Sequence, residues 1–318
     1  MSSSTRTFAA IIAGACAFMA ASCNTSKLAM NMVADALSSA GAGGPEGSAF
    51  TRDDDPKLVG DAIPTFIKTM ELIRDSVPEH EGINLSCASV ITMYANAFVQ
   101  DAAFYLPPED VEARCEALDR AKRLYLRARD YAASVLERRH PGFVAALAGS
   151  ERDAMLKKCV KADVPFIYWF SAASVAAFSA DNFDFSLMLA IPNAMAAMER
   201  AYELDPFYPG IEGFLLSSWA SLPESLGGRY ERGKALYEEM RARKGGAGPG
   251  NDFAYAQSYL LAEGRRDEFV AALEAYLAIE PRDYPAETLA LVIGQKRARW
   301  LLDNIDDVLP LDEGYQEE

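Results

Sequence analysis

Histidine is almost missing from this chain. His80 and His140 are the only two in 318 residues, and neither has a serine or cysteine nucleophile motif beside it. The metal pattern HExxH, the nucleophile elbow GxSxG and the phosphate loop GxxxxGK[S/T] do not occur. Carboxylate pairs are plentiful, but so acidic a chain has them by composition alone. The sequence therefore points away from an enzyme and calls for no cofactor and no metal. Positive charge is scarce as well: 31 Lys and Arg stand against 46 Asp and Glu, a formal charge of −15. Nucleic acid and anionic lipid surfaces need a basic footprint, so the folded body is not expected to bind either. Cysteine is sparse and shows no CxxC spacing, which argues against zinc. Cys16 and Cys23 belong to the N-terminal segment. The remaining three, Cys87, Cys115 and Cys159, cannot all pair and are expected as buried free thiols. β-branched residues are few beside Ala, Leu and Glu, which favours helix over strand.

What is present is organised around Ala194-Met-Ala-Ala-Met-Glu-Arg-Ala-Tyr-Glu-Leu-Asp-Pro206. Ala194, Met198 and Ala201 fall on one face of a 3.6-period helix. Asp205-Pro206 then stops it, because proline has no N–H to continue the ladder. Small, large, small and Pro at these offsets is the pattern of the second helix of a tetratricopeptide (TPR) unit. Counting back from Pro281, Phe269, Leu273 and Tyr276 occupy the same offsets. Gly264 sits at the inter-helix turn, with Phe253 and Leu260 on the first helix, so Phe253–Pro281 reads as a second, degenerate unit. The helix from Glu287 to about Leu302 would close the array, which needs an end element to hide its last apolar face.

The N-terminus is a targeting segment. Arg6 precedes an apolar run from Phe8 to Ala21, too short to cross a bilayer. Removing residues 1–22, whose single charged side chain is Arg6, takes the net charge to −16. Ala20-Ala21-Ser22-Cys23 resembles the lipobox of bacterial lipoproteins, with Ala20 where Leu is commoner. The resemblance implies a lipidated Cys23 after cleavage, and several acyl chains together anchor stably. The rival reading is an ordinary secreted protein cut at the same place. Ser26 to Leu37 reads as a short helix on Leu28, Met32, Val33 and Ala36. Ser38 to Ser48 reads as a flexible linker.

Asp55 as N-cap with Pro56 at the first position opens the body, and the helix should run from Lys57 to Ser76 with a kink at Pro64. A calcium loop at Asp53–Asp55 lacks the alternating ligands and the glycine. Leu85 to Phe104 is apolar on nearly every side, as a central core helix is. Tyr94 and Phe98, four apart on it, either belong to that core or line a pocket. Pro107-Pro108 starts a long helix to Arg139, with the stripe Val111, Cys115, Leu118, Tyr125, Ala128, Ala132 and Val135. Glu116→Arg120 and Asp119→Arg123 are spaced as i,i+4 pairs on its wet side. The basic band Arg120, Lys122, Arg123, Arg127 and Arg129 is expected to neutralise carboxylates of its own chain. Asp163-Val-Pro165 should cap an apolar helix carrying Tyr168, Trp169, Phe170 and Phe178, whose aromatics either stack on a ligand or are buried. Lys244 to Asp252 is a glycine-rich loop whose Asn251 and Asp252 should cap the next helix.

Several segments taken together are similar to one family, the TPR-containing periplasmic lipoproteins of TRAP transporters, TatT. They are Asp53-Asp-Asp-Pro-Lys-Leu-Val-Gly-Asp-Ala-Ile-Pro64, Leu124-Tyr-Leu-Arg-Ala-Arg-Asp-Tyr131, His140-Pro-Gly142, Asp163-Val-Pro-Phe-Ile-Tyr-Trp169, Arg200-Ala-Tyr-Glu-Leu-Asp-Pro206 and Gln295-Lys-Arg-Ala-Arg-Trp300. The resemblance implies an all-α right-handed superhelical array of helical hairpins with degenerate TPR repeats, assembled as a homotrimer. It also implies partnership with a periplasmic TRAP solute-binding protein, and a cleft able to pass a hydrophobic small ligand. The expected organisation is a signal peptide over 1–22, a lipidated N-terminus and linker over 23–52, a helical domain over 53–311 and an acidic tail over 312–318. Tyr94, Phe98, Tyr168 and Trp169 are the candidate ligand contacts, and Cys23 the lipidation site. A generic TPR lipoprotein scaffold for envelope assembly is the alternative.

Overall fold

The computed structural model describes residues 30–38 and 47–310. Cys23, the signal peptide, most of the linker and the acidic tail lie outside the described residues. Among the described residues no β-strand forms, and helices make up most of the fold. Residues 30–38 form α1. After it come α2 (Pro56–Ser76), α3 (Glu81–Tyr94), a π-helical turn (Ala95–Gln100), α4 (Asp101–Phe104) and α5 (Val111–Arg139). Two short helices, α6 (Phe143–Leu147) and α7 (Arg152–Lys158), lead to α8 (Val164–Ala180) and α9 (Phe185–Leu204). The C-terminal part holds α10 (Ile211–Ser221), α11 (Tyr230–Arg241), α12 (Pro249–Tyr255) with a second π turn (Ala256–Leu260), α13 (Arg266–Leu277), α14 (Thr288–Asp303) and α15 (Ile305–Val308).

The start and stop signals act as their chemistry dictates. The Asp55 carboxylate accepts from the amides of Lys57 and Leu58, and α2 continues through Pro64. Asp205 ends α9, and Ala194, Met198 and Ala201 are buried. Phe253, Leu260, Phe269, Leu273 and Tyr276 are buried too, with Gly264 at φ +67° in the turn between them. Only glycine takes that left-handed conformation without strain.

Helix α3 with its π turn and α4 is apolar and long enough to span a membrane, yet it lies against α2, α5 and α8 as core. Glu71 pins α2 to α5: its carboxylate accepts from Lys68 at 2.6 Å, from the Tyr131 hydroxyl at 2.9 Å and from Arg127 at 3.3 Å. Burial pushes this carboxyl up, but the three donors outweigh it and hold it below the usual range. Helix α14 packs on α13 in the C-terminal cluster. It also returns to the first helices. Its Leu289 amide donates to the Thr51 carbonyl at 2.9 Å, and Arg297 pairs with Asp101 at 2.8 Å.

Several local expectations are corrected. In α1 the buried face is Met30, Ala34 and Leu37; Met32 and Val33 point to solvent. Val111 and Cys115 are exposed, because the apolar face of α5 is covered only from about Leu118 onward. Cys87 and Cys159 are the buried thiols. Neither i,i+4 pair on α5 closes as an ion pair; Arg120 reaches instead to the Tyr94 hydroxyl at 3.1 Å. Lys122, Arg127 and Arg129 do meet carboxylates of their own chain, at Asp181, Glu71 and Asp130. Asn251 and Asp252 lie inside the first turn of α12, where Gly248 is the cap and Pro249 the first residue.

Candidate functional site

Two cavities open along the seam where α14 meets the α3–α4 stretch. The first is apolar, about 240 Å³, and is walled by Ile63, Val90, Met93, Phe98, Leu289 and Ile293. The second is larger, about 730 Å³, and polar: Gln100, Asp101, Arg114, Ser217, Ser221 and Arg297 border it. Asn96 lines both. It stands in the π turn, where the Asp101 amide reaches back five residues to the Asn96 carbonyl. Such an extra residue in a helix turn shifts the faces of the helix and recurs at functional positions.

The Phe98 ring borders the apolar cavity and stacks on Tyr94 at 5.8 Å between centroids. It can lie close to α2 because Gly60 has no side chain; a methyl there would stand 2.8 Å from the ring. Tyr94 is buried behind it. Tyr168 and Trp169 belong to a different apolar cluster. Tyr168 packs edge-on to Trp169 and against Tyr208 and Phe214. The four aromatics singled out by sequence are thus not one site. The sequence reading passed over Asn96, Leu289, Ile293 and Arg297 as cavity walls. The only signal for Arg297 was its place in the segment Gln295–Trp300, and the others carried none.

In the polar cavity, Arg297 bonds Asp101 through Nη1, while its Nε is buried without a partner. Its guanidinium lies 3.7 Å over the Phe104 ring, the stacked arrangement that planar, weakly hydrated arginine favours. Arg114 donates to the carbonyls of Leu106 at 2.8 Å and Pro107 at 3.1 Å. Deeper in the wall the buried Tyr125 hydroxyl donates to Gln100 at 2.6 Å, and burial pushes its ionisation upward.

His140, Cys159 and Asp163 also bring three potential ligand atoms within 4.8 Å of one another. Each is engaged already. The Asp163 carboxylate accepts from the Val160 amide at 2.9 Å, from Arg139 at 2.8 Å and from His140 Nε2 at 2.9 Å. The Cys159 thiol donates to the Met155 carbonyl. Burial raises the Asp163 carboxyl, and these donors reverse that and hold it low. Burial pushes the Cys159 thiol up to about 11, away from the thiolate a metal needs. The cluster is a knot that fixes α5 to the turn before α8. It also corrects the expected cap, since Asp163 serves that turn and makes no side-chain bond to the first amides of α8.

The sequence pattern of the TRAP transporter T-component family matches residues 52–309. The chain is 35% identical over 263 residues to an uncharacterised protein of Treponema pallidum (strain Nichols), covering 81% of each chain. The match spans every helix from α2 to α15, and with them the whole lining of the polar cavity and the helical walls of the apolar one. The chain therefore belongs to the TRAP transporter T-component family, an accessory component of TRAP transport.

Proposed function

We propose that the mature protein is a periplasmic lipoprotein that binds the solute-binding protein of a TRAP system and passes it a hydrophobic small ligand. Residues 1–22 are then the signal peptide, 23–52 the lipidated N-terminus and linker, 53–311 the helical domain and 312–318 an acidic tail. Acyl chains on Cys23 hold it to the membrane. Its helical pairs stack as a right-handed superhelix of degenerate TPR units, which gives a partner a long concave surface. Three copies assemble as a homotrimer. Phe183, in the turn between α8 and α9, and Phe185 and Leu189, on the start of α9, are exposed and supply an apolar patch for that contact.

The observation that carries the ligand half of this reading is the apolar cavity beside Phe98. A scaffold needs no such apolar pocket between its helices, where side chains otherwise pack closely. Native mass spectrometry of the protein purified from a bacterial envelope tests it. The expected species is three chains with a small apolar passenger retained. A single chain without a passenger would instead favour a generic TPR lipoprotein that assembles envelope proteins.

A further inference from the structure

The two cavities lie end to end on the same two helical stretches. On α14, Leu289 and Ile293 face the apolar cavity, and Arg297, one turn further on, faces the polar one. Residues 289 and 297 are eight apart, so the shared wall runs about 12 Å. On the opposite side Val90 and Met93 line the apolar end, Gln100 and Asp101 the polar end, and Asn96 the join.

The ends differ in charge as well as polarity. Two arginines and one aspartate border the polar cavity, a positive lining in a chain of formal charge −15. Arg114 meets carbonyls, which leave its charge uncompensated, and it forms no ion pair among the described residues. Arg297 shares Asp101 but keeps a buried Nε without an acceptor. An arginine fork bordering a cavity suits a carboxylate, which it meets through paired N–H donors. The apolar end, at about 240 Å³, is below the ~300 Å³ where drug-sized sites begin, which suits a slim chain better than a bulky ring system.

We infer that the ligand is an amphiphile with a single alkyl chain and a carboxylate head. The chain lies between Phe98 and Ile293, and the head sits past Asn96 against Arg297 and Arg114. This rests on the conduit reading above and names the class of molecule it would carry. A fatty acid is its simplest member.

The test uses the mature chain without its lipidation site Cys23, residues 24–318, exported behind a cleavable leader so that no acyl chain of its own enters the assay. Calorimetry compares dodecanoate with dodecanol, both below micelle-forming concentrations. The expected result is that dodecanoate binds at least tenfold more tightly, with a preference that shrinks as salt rises. Arg297→Gln and Arg114→Gln should each erase most of the preference and leave dodecanol affinity unchanged. Ala290, exposed on α14 at the apolar cavity, tolerates a larger side chain, so Ala290→Trp should abolish binding of both ligands. Circular dichroism melts confirm that each variant is folded. Equal affinity for the two ligands overturns the carboxylate assignment and leaves an apolar conduit standing. Binding that survives Ala290→Trp overturns the placement of the chain. Failure of both ligands to bind the wild-type protein overturns the amphiphile and the conduit together.

Discussion

Gly233, at the end of the first turn of α11, offers a change whose sign separates local propensity from packing. Alanine in place of glycine inside a helix stabilises by about 1 kcal/mol when nothing else intervenes. Here the added methyl would run into the Tyr259 hydroxyl oxygen and stand 3.0 Å from the carbon that bears it. Tyr259 has nowhere to retreat. It is fully buried, its ring stacks on Tyr255 at 4.9 Å, and its hydroxyl donates to the Leu216 carbonyl at 3.0 Å. Overpacking a close-packed site costs about 1–3 kcal/mol. Losing the buried hydroxyl's bond adds about 1–3 kcal/mol. Gly233→Ala should therefore destabilise by about 1–5 kcal/mol after the propensity gain is set against these costs. Urea denaturation read by circular dichroism measures it as a fall in midpoint at unchanged slope. In a Tyr259→Phe background the clashing oxygen is gone, and the same Gly233→Ala change should cost far less. If Gly233→Ala raises the midpoint, or costs the same with and without the hydroxyl, the close approach of α11 to the second π turn is wrong.

Three further outcomes follow from the same contacts. Asp163→Ala leaves Arg139 and His140 without their shared acceptor and should cost about 3–5 kcal/mol, seen as a fall in melting temperature of about 2–4 °C per kcal/mol. Acid should weaken the fold: Glu71 and Glu81, held below their ordinary 4.5, and Asp163, held below 3.8, bind fewer protons folded than unfolded. Their contribution is whole above those ordinary values and is lost as pH falls through the lower folded ones. Urea midpoints taken from about pH 6 to pH 3 should therefore drop, and drop less steeply in Asp163→Asn. Gly60→Ala drives the Phe98 ring into the apolar cavity, so dodecanol affinity should fall several-fold and recover in Gly60→Ala/Phe98→Leu.

The helical class and most element ends were legible because they rest on local chemistry. Asp55, Pro56 and Asp205-Pro206 act through the backbone next to them, and the buried faces at 194–201 and 269–276 are simple periodicities. The π turns were not legible. Ala95–Gln100 and Ala256–Leu260 have ordinary helical composition, and only packing decides that a fifth residue enters the turn. Long-range polar links were equally invisible. Asp163 looked like a helix cap, while its partners Arg139 and His140 lie more than twenty residues back. Arg297 meets Asp101 across 196 positions of sequence. The cavity walls were half legible: Phe98 stood out as an aromatic on an apolar helix, but Leu289 and Ile293 look like any end-helix core positions. That α14 would fold back onto the first helices, and so create the seam, has no local signature.

The proposed function requires company with a TRAP solute-binding protein. The most direct measurement is sedimentation velocity of the mature chain mixed with the solute-binding protein of its own TRAP system, at concentrations that reveal a micromolar complex. A boundary faster than that of either protein alone, with both proteins in it, is the predicted result. Two boundaries that sediment independently at every ratio would contradict it.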